Sequence, residues 1–244
     1  MMNKYYYFKE DNNLFRFRIE QDDEPLNPRF DWDGNIGTLN LWWSRCAFGD
    51  NKGNGTPRET LIDMVRTYVP TDKYTEEDLI YNMASNEMMI LLQKYIVLIP
   101  CYIYEHSGFA ISCSAFSDRW DSGMAGFIYT SKEKCEEQWG KADKDWRKQA
   151  YDELVNEVKE YDMYLKGECY YFKLEEYNEE TDEWDDYECV GGFLTDKYGD
   201  DLVKYIKDNF TSEELISEDE ALELTREIHK EFLIMDQANN IICI

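Results

Sequence analysis

Two clusters of residue types in this chain can do chemistry if folding brings their members together. The first is a run of carboxylates, Glu20, Asp22, Asp23, Glu24, Asp31 and Asp33, with Asp118 and Asp121 further along. Several carboxylates converging within ~4 Å of one point can hold Mg²⁺ or Ca²⁺, and Asp22, Asp23 and Asp121 are the metal candidates. A carboxylate pair can also work as acid and base when burial raises one pKa. The spacing is not that of an EF-hand, which places acids at alternate positions with Gly sixth and Glu twelfth. Turn-forming, solvated carboxylates account for the same residues without any ligand.

The second cluster centres on His106, in a turn just before Gly108. Ser107, Cys101 and Cys113 are the nucleophile types nearby, and Asp121 and Asp118 are the orienting type. Nucleophilic catalysis needs the nucleophile within ~3 Å of the imidazole and a third group behind it. Two turns at one sheet edge can bring His106 and Asp121 together. The chain has no GxSxG nucleophile elbow, and a histidine that satisfies turn backbone groups is the commoner case. These clusters define an enzymatic alternative, a metal-dependent hydrolase or nuclease using His106, Asp118 and Asp121. The main expectation is a non-enzymatic chain with no cofactor and no metal.

The charge pattern points to a partner. Asp and Glu number 52 against 26 Lys and Arg, a formal net charge of −26. Residues 151–220 hold 24 acidic and 6 basic side chains, about two-thirds of that charge. Such a field repels nucleic acid and anionic membranes, and it attracts basic surfaces at rates that fall with salt. Glu175, Glu176, Glu179, Glu180, Asp182, Glu183, Asp185 and Asp186 surround Trp184. An aromatic anchor inside a charged rim is what tight protein interfaces use. Carboxylates along a helix and a hairpin also approximate the charge ladder of a nucleic-acid duplex, one charge per ~1.7 Å. The expected partner is a basic nucleic-acid-binding protein, not nucleic acid itself and not a membrane. A solvated acidic surface with no partner is the plain alternative, and a homodimer is compatible with the composition.

The elements that must position these groups can be read from periodicity. Residues 95–104 form a nearly unbroken apolar run, the composition of a strand buried on both faces. Residues 109–116 and 124–130 return as antiparallel neighbours, with positive φ expected at Gly108 and Gly123. Trp120, Trp42 and Trp43 are expected as core or interface anchors, at least two of them in the core. Residues 4–8 and 14–19 read as a hairpin with Phe15 and Phe17 on one face and Arg16 and Arg18 on the other. Ile36–Cys46 reads as a strand, and Gly49–Gly55 as a loop. Thr56-Pro57-Arg58-Glu59 is a capping box that starts a helix. Thr75 starts another that runs to Lys94 with a break near Ser85-Asn86.

Residues 130–139 form a short helix ending at Gly140. Residues 144–166 form the longest helix, with Trp146, Ala150, Leu154, Val158, Tyr161 and Leu165 at intervals of 4, 4, 4, 3 and 4 and Gly167 as its C-cap. Residues 168–177 and 184–193 are a second hairpin. Helices follow at 199–209 and from Ser217, with residues 233–244 as a closing strand or docked tail. The fold class is α+β, a mainly antiparallel sheet with packed helices and a helical C-terminal extension. The division expected is a core domain, 1–195, and an extension, 196–244, packed on it. The seven cysteines have no CxxC spacing, and no N-terminal signal sequence is evident, so they read as reduced thiols in the cytoplasm. No run reaches the ~18 apolar residues of a membrane helix.

Several segments taken together carry a resemblance: IEQDDEPLNPR (Ile19–Arg29), GNIGTLNLWWSR (Gly34–Arg45), EHSG (Glu105–Gly108), WDSGMAGFIYTSKEK (Trp120–Lys134) and YDMYLKG (Tyr161–Gly167). This pattern, spread over about residues 14–195, resembles a family of acidic proteins common in bacteriophages, prophages and other mobile elements. The chain departs from it at Trp42-Trp43-Ser44-Arg45, where the family tends to have a Cys and a His. The resemblance implies a viral or mobile-element origin. With the charge, it leads to the expectation of a phage-type inhibitor in the host cytoplasm that blocks a Cas effector or a restriction enzyme, as anti-CRISPR proteins do. A virion or assembly component is a further alternative.

Overall fold

Within the apolar run at residues 95–104, Ile96–Ile99 are buried on both faces because helices cover both sides of the sheet, whereas Pro100, Tyr102 and Tyr104 beyond them are partly exposed. The structure is a computed structural model that describes all residues except 1–3, 11, 44–47, 51–54, 71–73, 119, 196–199, 211–213 and 243–244. The strands are β1 (Tyr5–Glu10), β2 (Asn13–Gln21), β3 (Thr38–Leu41), β4 (Val97–Glu105), β5 (Phe109–Ser112), β6 (Ser122–Thr130), β7 (Cys169–Asn178) and β8 (Glu183–Leu194). The α-helices are α1 (Pro57–Tyr68), α2 (Ser85–Leu92), α3 (Lys132–Trp139), α4 (Trp146–Leu165), α5 (Asp200–Phe210) and α6 (Glu218–Ile242), with a π-helical turn at Asp78–Asn82. Two antiparallel sheets result, in the orders β1-β2-β7-β8 and β3-β6-β4-β5, an α+β fold.

The chain divides into two compact units, Met1–Pro25 with Gly167–Ile244, and Leu26–Lys166. This is not the division expected at 195/196. β2 pairs with β7, from Phe15↔Glu176 to Gln21↔Tyr170, so the N-terminal hairpin belongs with the C-terminal segment Gly167–Ile244.

In the unit Leu26–Lys166, β4 lies between β6 and β5. Val97, Ile99, Cys101 and Ile103 pack with Leu39, Ile128, Leu154 and Val158 on the α4 face. Ile96 and Leu98 pack with Phe127, Leu61, Val65 and Leu92 on the α1 and α2 face. Each such fully buried side chain contributes about 1.5–3 kcal/mol. β5 and β6 do not pair with each other as neighbours in sequence would; both pair with β4, one on each edge. β3 is shorter than expected, and residues 44–47 lie outside the described residues. The capping box is present: the Thr56 hydroxyl accepts from Glu59 N–H, and Glu59 accepts from Thr56 N–H. The second helical stretch breaks at Met83-Ala84, directly before Ser85. Positive φ falls on Ser107 and not on Gly108 or Gly123, which stay outside the left-handed region. Trp42 and Trp43 pack against the two apolar clusters, whereas Trp120 is 96% exposed.

In the other unit, Phe8, Phe15, Phe17, Ile19, Tyr170, Phe172 and Leu174 make one sheet face with Leu202 of α5. The opposite face meets α6, where the Tyr177 hydroxyl lies 3.2 Å from the Thr225 carbonyl and Ala221 is buried. α6, not α4, is the longest helix, because the segment expected as a closing strand or docked tail continues it to Ile242. Leu233, Ile234, Met235, Gln237 and Ala238 offer no helix breaker, so propagation adds a hydrogen bond per residue. Among the described residues no helix is long and apolar enough to cross a membrane.

Candidate functional site

The β4–β5 turn and the start of β6 do bring His106 and Asp121 together. Glu105 N–H donates to the Asp121 carbonyl at 2.8 Å, and His106 N–H to the Gly108 carbonyl at 3.1 Å. With the backbones so pinned, His106 Nδ1 lies 3.0 Å from Asp121 Oδ2. The side chains are 67% and 40% exposed. Asp118 turns its carboxylate back on its own loop, accepting from Trp120 N–H at 2.8 Å and Asp121 N–H at 3.3 Å. Asp118 therefore shapes the turn and does not face the imidazole. Cys101 is fully buried in the core, and among the described residues no thiol or hydroxyl hydrogen-bonds the ring. An exposed Asp–His pair with no nucleophile in reach lacks the three-part geometry of covalent catalysis.

The acidic run of residues 20–33 is consumed by local structure. Glu20 pairs with Arg18 and accepts from the Tyr171 hydroxyl. That hydroxyl, with Arg18 beside it, holds Glu20 below the usual carboxylate range, while Tyr171 is pushed up to about 12. Asp22 accepts from Glu24 N–H at 3.1 Å and Asp31 from Asn27 N–H at 2.7 Å, as turn-forming carboxylates do. Among the described residues no group of three His, Cys, Asp or Glu converges as a metal site. Asp22 and Asp23 belong to one unit and Asp121 to the other.

The acidic hairpin differs from expectation at two residues. Glu175 is 5% exposed and is not a partner-facing carboxylate. β-alternation points it to the same face as Arg16, whose Nε lies 2.6 Å away. Trp184 is not a free anchor either. Its ring covers that pair, with the Arg16 guanidinium 4.4 Å from its centroid on one side and Tyr177 packed edge-on. Asp182 accepts from the Tyr177 hydroxyl at 2.7 Å, Asp185 from Asn178 at 2.7 Å, and Asp186 pairs with Lys173 at 2.6 Å. Glu179, Glu180, Asp182, Glu183, Asp185, Asp186 and Glu188 remain exposed, and Glu176 is half-buried. β8 forms the open edge of its sheet. The unit that contains it holds 29 acidic and 10 basic residues, net −19, against 23 and 16, net −7, in Leu26–Lys166.

The tightest polar constellation was not among the candidate sites. Arg29 donates through Nε to Asp50 Oδ1 at 3.0 Å and through Nη2 to Asp50 Oδ2 at 2.7 Å and the Gly37 carbonyl at 2.9 Å. Its Nη1 donates to Glu157 at 2.6 Å and Asn35 at 3.1 Å. Glu157 also accepts from the Ile36 and Gly37 amides at 2.7 and 2.9 Å. All five guanidinium hydrogens are used, so the cluster clasps residues 29–50 to α4 and offers nothing to a ligand. One sequence signal could have found it: Glu157 lies three residues after Leu154, on the apolar stripe of α4.

Glu160, one turn on, is pushed up by burial and by the Glu157 and Glu153 carboxylates. A raised carboxyl opposes folding when ionised, so its cost is absent below the ordinary Glu pKa and grows as pH rises through the raised value. Glu160→Gln should therefore stabilise the protein at pH 7 and lose that advantage below about pH 4, as measured by urea melts across pH.

Comparison with protein-family models, with curated proteins and with solved structures finds no match to this chain.

Proposed function

We propose that this protein is a phage-type inhibitor that binds and blocks a basic, nucleic-acid-handling defence protein in the host cytoplasm, of the anti-CRISPR or anti-restriction kind. The observation that carries the reading is the net −19 gathered on one unit, with an open sheet edge that exposes Glu183, Asp185, Asp186 and Glu188. A strand rises about 3.3 Å per residue, so these four span roughly 17 Å, a mean spacing of about 5–6 Å. A nucleic-acid strand carries one phosphate per ~3.4 Å. A groove lined with Lys and Arg to hold that backbone meets the same sign of charge, at a somewhat lower density. The mobile-element resemblance supplies the class of host target.

The test is a pull-down with mass spectrometry at two salt concentrations, followed by binding kinetics with the captured protein. Capture of a Cas or restriction protein at low salt, reduced at high salt and competed by its nucleic acid, is the expected result. Replacing Glu183, Asp185, Asp186 and Glu188 by their amides should slow association by at least ~10-fold. Failure to retain any nucleic-acid-binding protein at low salt discards the reading.

A further inference from the structure

Cys101 lies in β4, and Cys113 one residue beyond β5. The β4–β5 ladder ends at Ile103↔Ile111 and Tyr102↔Ser112, and continuing that register by one residue sets Cys101 opposite Cys113. Both pack in the apolar cluster that holds Ile103 and Ile111, so their side chains leave the same face. Opposed residues of an antiparallel pair have Cα atoms about 4.5–5.5 Å apart, inside the ~4.4–6.8 Å that a disulfide spans. Cys101 is fully buried and Cys113 is partly exposed. The Cys101 thiol donates to the Ile99 carbonyl at 3.8 Å; the neighbouring Cys101 group holds the Cys113 pKa below the ordinary thiol range, while Cys113 and burial push that of Cys101 up. An accessible, more acidic thiol beside a buried one is the arrangement of an attacking and a resolving cysteine.

We propose that Cys101 and Cys113 are a redox-active dithiol, a modification site at which a low-molecular-weight disulfide such as glutathione disulfide closes a cross-strand bond between β4 and the end of β5. The Cys113 thiolate attacks one glutathione sulfur, forming a mixed disulfide and releasing one glutathione thiolate. Cys101 gives up its proton, attacks the Cys113 sulfur and expels the second glutathione. Two protein thiols are oxidised by two electrons, one disulfide is reduced to two thiols, and both protons pass to the departing thiolates. The bond closes a loop that includes His106 and ties the short edge strand β5 to the sheet centre. Cys189, exposed on β8 opposite Lys173, provides an internal control for an isolated thiol.

The experiment treats the reduced full-length chain with glutathione disulfide and maps the peptides by mass spectrometry. The Cys101 and Cys113 peptides should be joined with loss of two hydrogens, while Cys189 carries a glutathione. The melting temperature should rise by roughly 5 °C and return on reduction, because the bond closes a loop of moderate length in the unfolded chain. Cys101→Ala should retain on Cys113 the glutathione that the wild type sheds, and in the reduced wild type Cys113 should alkylate at least ~10-fold faster than Cys101. Should Cys101→Ala fail to fold, Cys113→Ser tests the same point by leaving Cys101 unmodified. A wild-type Cys113 that keeps its glutathione, or that stays reduced while Cys189 reacts, overturns the proposal.

Discussion

Arg29→Ala should lower the stability of the Leu26–Lys166 unit by about 3–5 kcal/mol, the usual cost of leaving one half of a buried ion pair alone. The Arg29 side chain is 2% exposed and that of Glu157 6%. Without the guanidinium, the Glu157 carboxylate keeps only the Ile36 and Gly37 amides for compensation. Asp50 loses both of its bonds to Arg29, and Asn35 and the Gly37 carbonyl lose a donor each. Lys cannot substitute, because a single ammonium does not supply five donors in a fixed plane. Arg29→Lys should therefore remain clearly destabilised, by about 1–3 kcal/mol. Removing both charges is a separate matter. Arg29→Met combined with Glu157→Met should cost less than the sum of the two single changes, since neither half of the buried Arg29–Glu157 pair is left alone and only the part-exposed Asp50 loses its cation. Urea titration followed by fluorescence reads each of these as a shift in midpoint at constant slope. An Arg29→Ala loss below about 1 kcal/mol would mean that the clasp is solvated in solution.

Gly126→Ala should be at least as damaging, through sterics alone. A Cβ at this position would lie 1.9 Å from the Asn40 carbonyl oxygen, 2.9 Å from its carbon and 3.0 Å from Leu41 Cα. All three are backbone atoms, so no side-chain rotation relieves the clash, and β3 must move away from β6. The separation exposes Leu39 and Leu41, both almost fully buried, each at about 1.5–3 kcal/mol. The β3 register from Thr38↔Tyr129 to Leu41↔Gly126 is lost with them. A loss of roughly 4 kcal/mol or more is expected, seen in the urea midpoint and in faster amide exchange of residues 38–41. Gly108→Ala is the matched control. Nothing lies within 4 Å of a Cβ there and its φ is not left-handed, so it should stay within about 0.5 kcal/mol of wild type. The contrast separates a glycine required by close backbone approach from one that merely occupies a turn.

What the sequence alone determined is the set of features that nearby residues decide. The capping box at Thr56 and Glu59 joins positions three apart. Gly167 takes positive φ to end α4. Phe15 and Phe17 alternate with Arg16 and Arg18 along β2, and two closely spaced turns on one strand end set His106 against Asp121. Each rests on a period or a short offset, from three residues at the capping box to fifteen between His106 and Asp121, inside one stretch of chain. What only the tertiary structure decided is every pairing across distance. Arg16 meets Glu175 over a separation of 159 residues, and Arg29 meets Glu157 over 128. Periodicity says that a strand has two faces, but not which strand will cover its edge. For that reason Glu175 and Trp184 read as surface residues and are instead part of a neutralised, half-buried stack. The sheet order β3-β6-β4-β5 and the union of the N-terminal hairpin with β7 and β8 follow from the same physics. Strand edges choose partners by total burial and by charge compensation, and those are sums over residues that the chain brings together only when it folds.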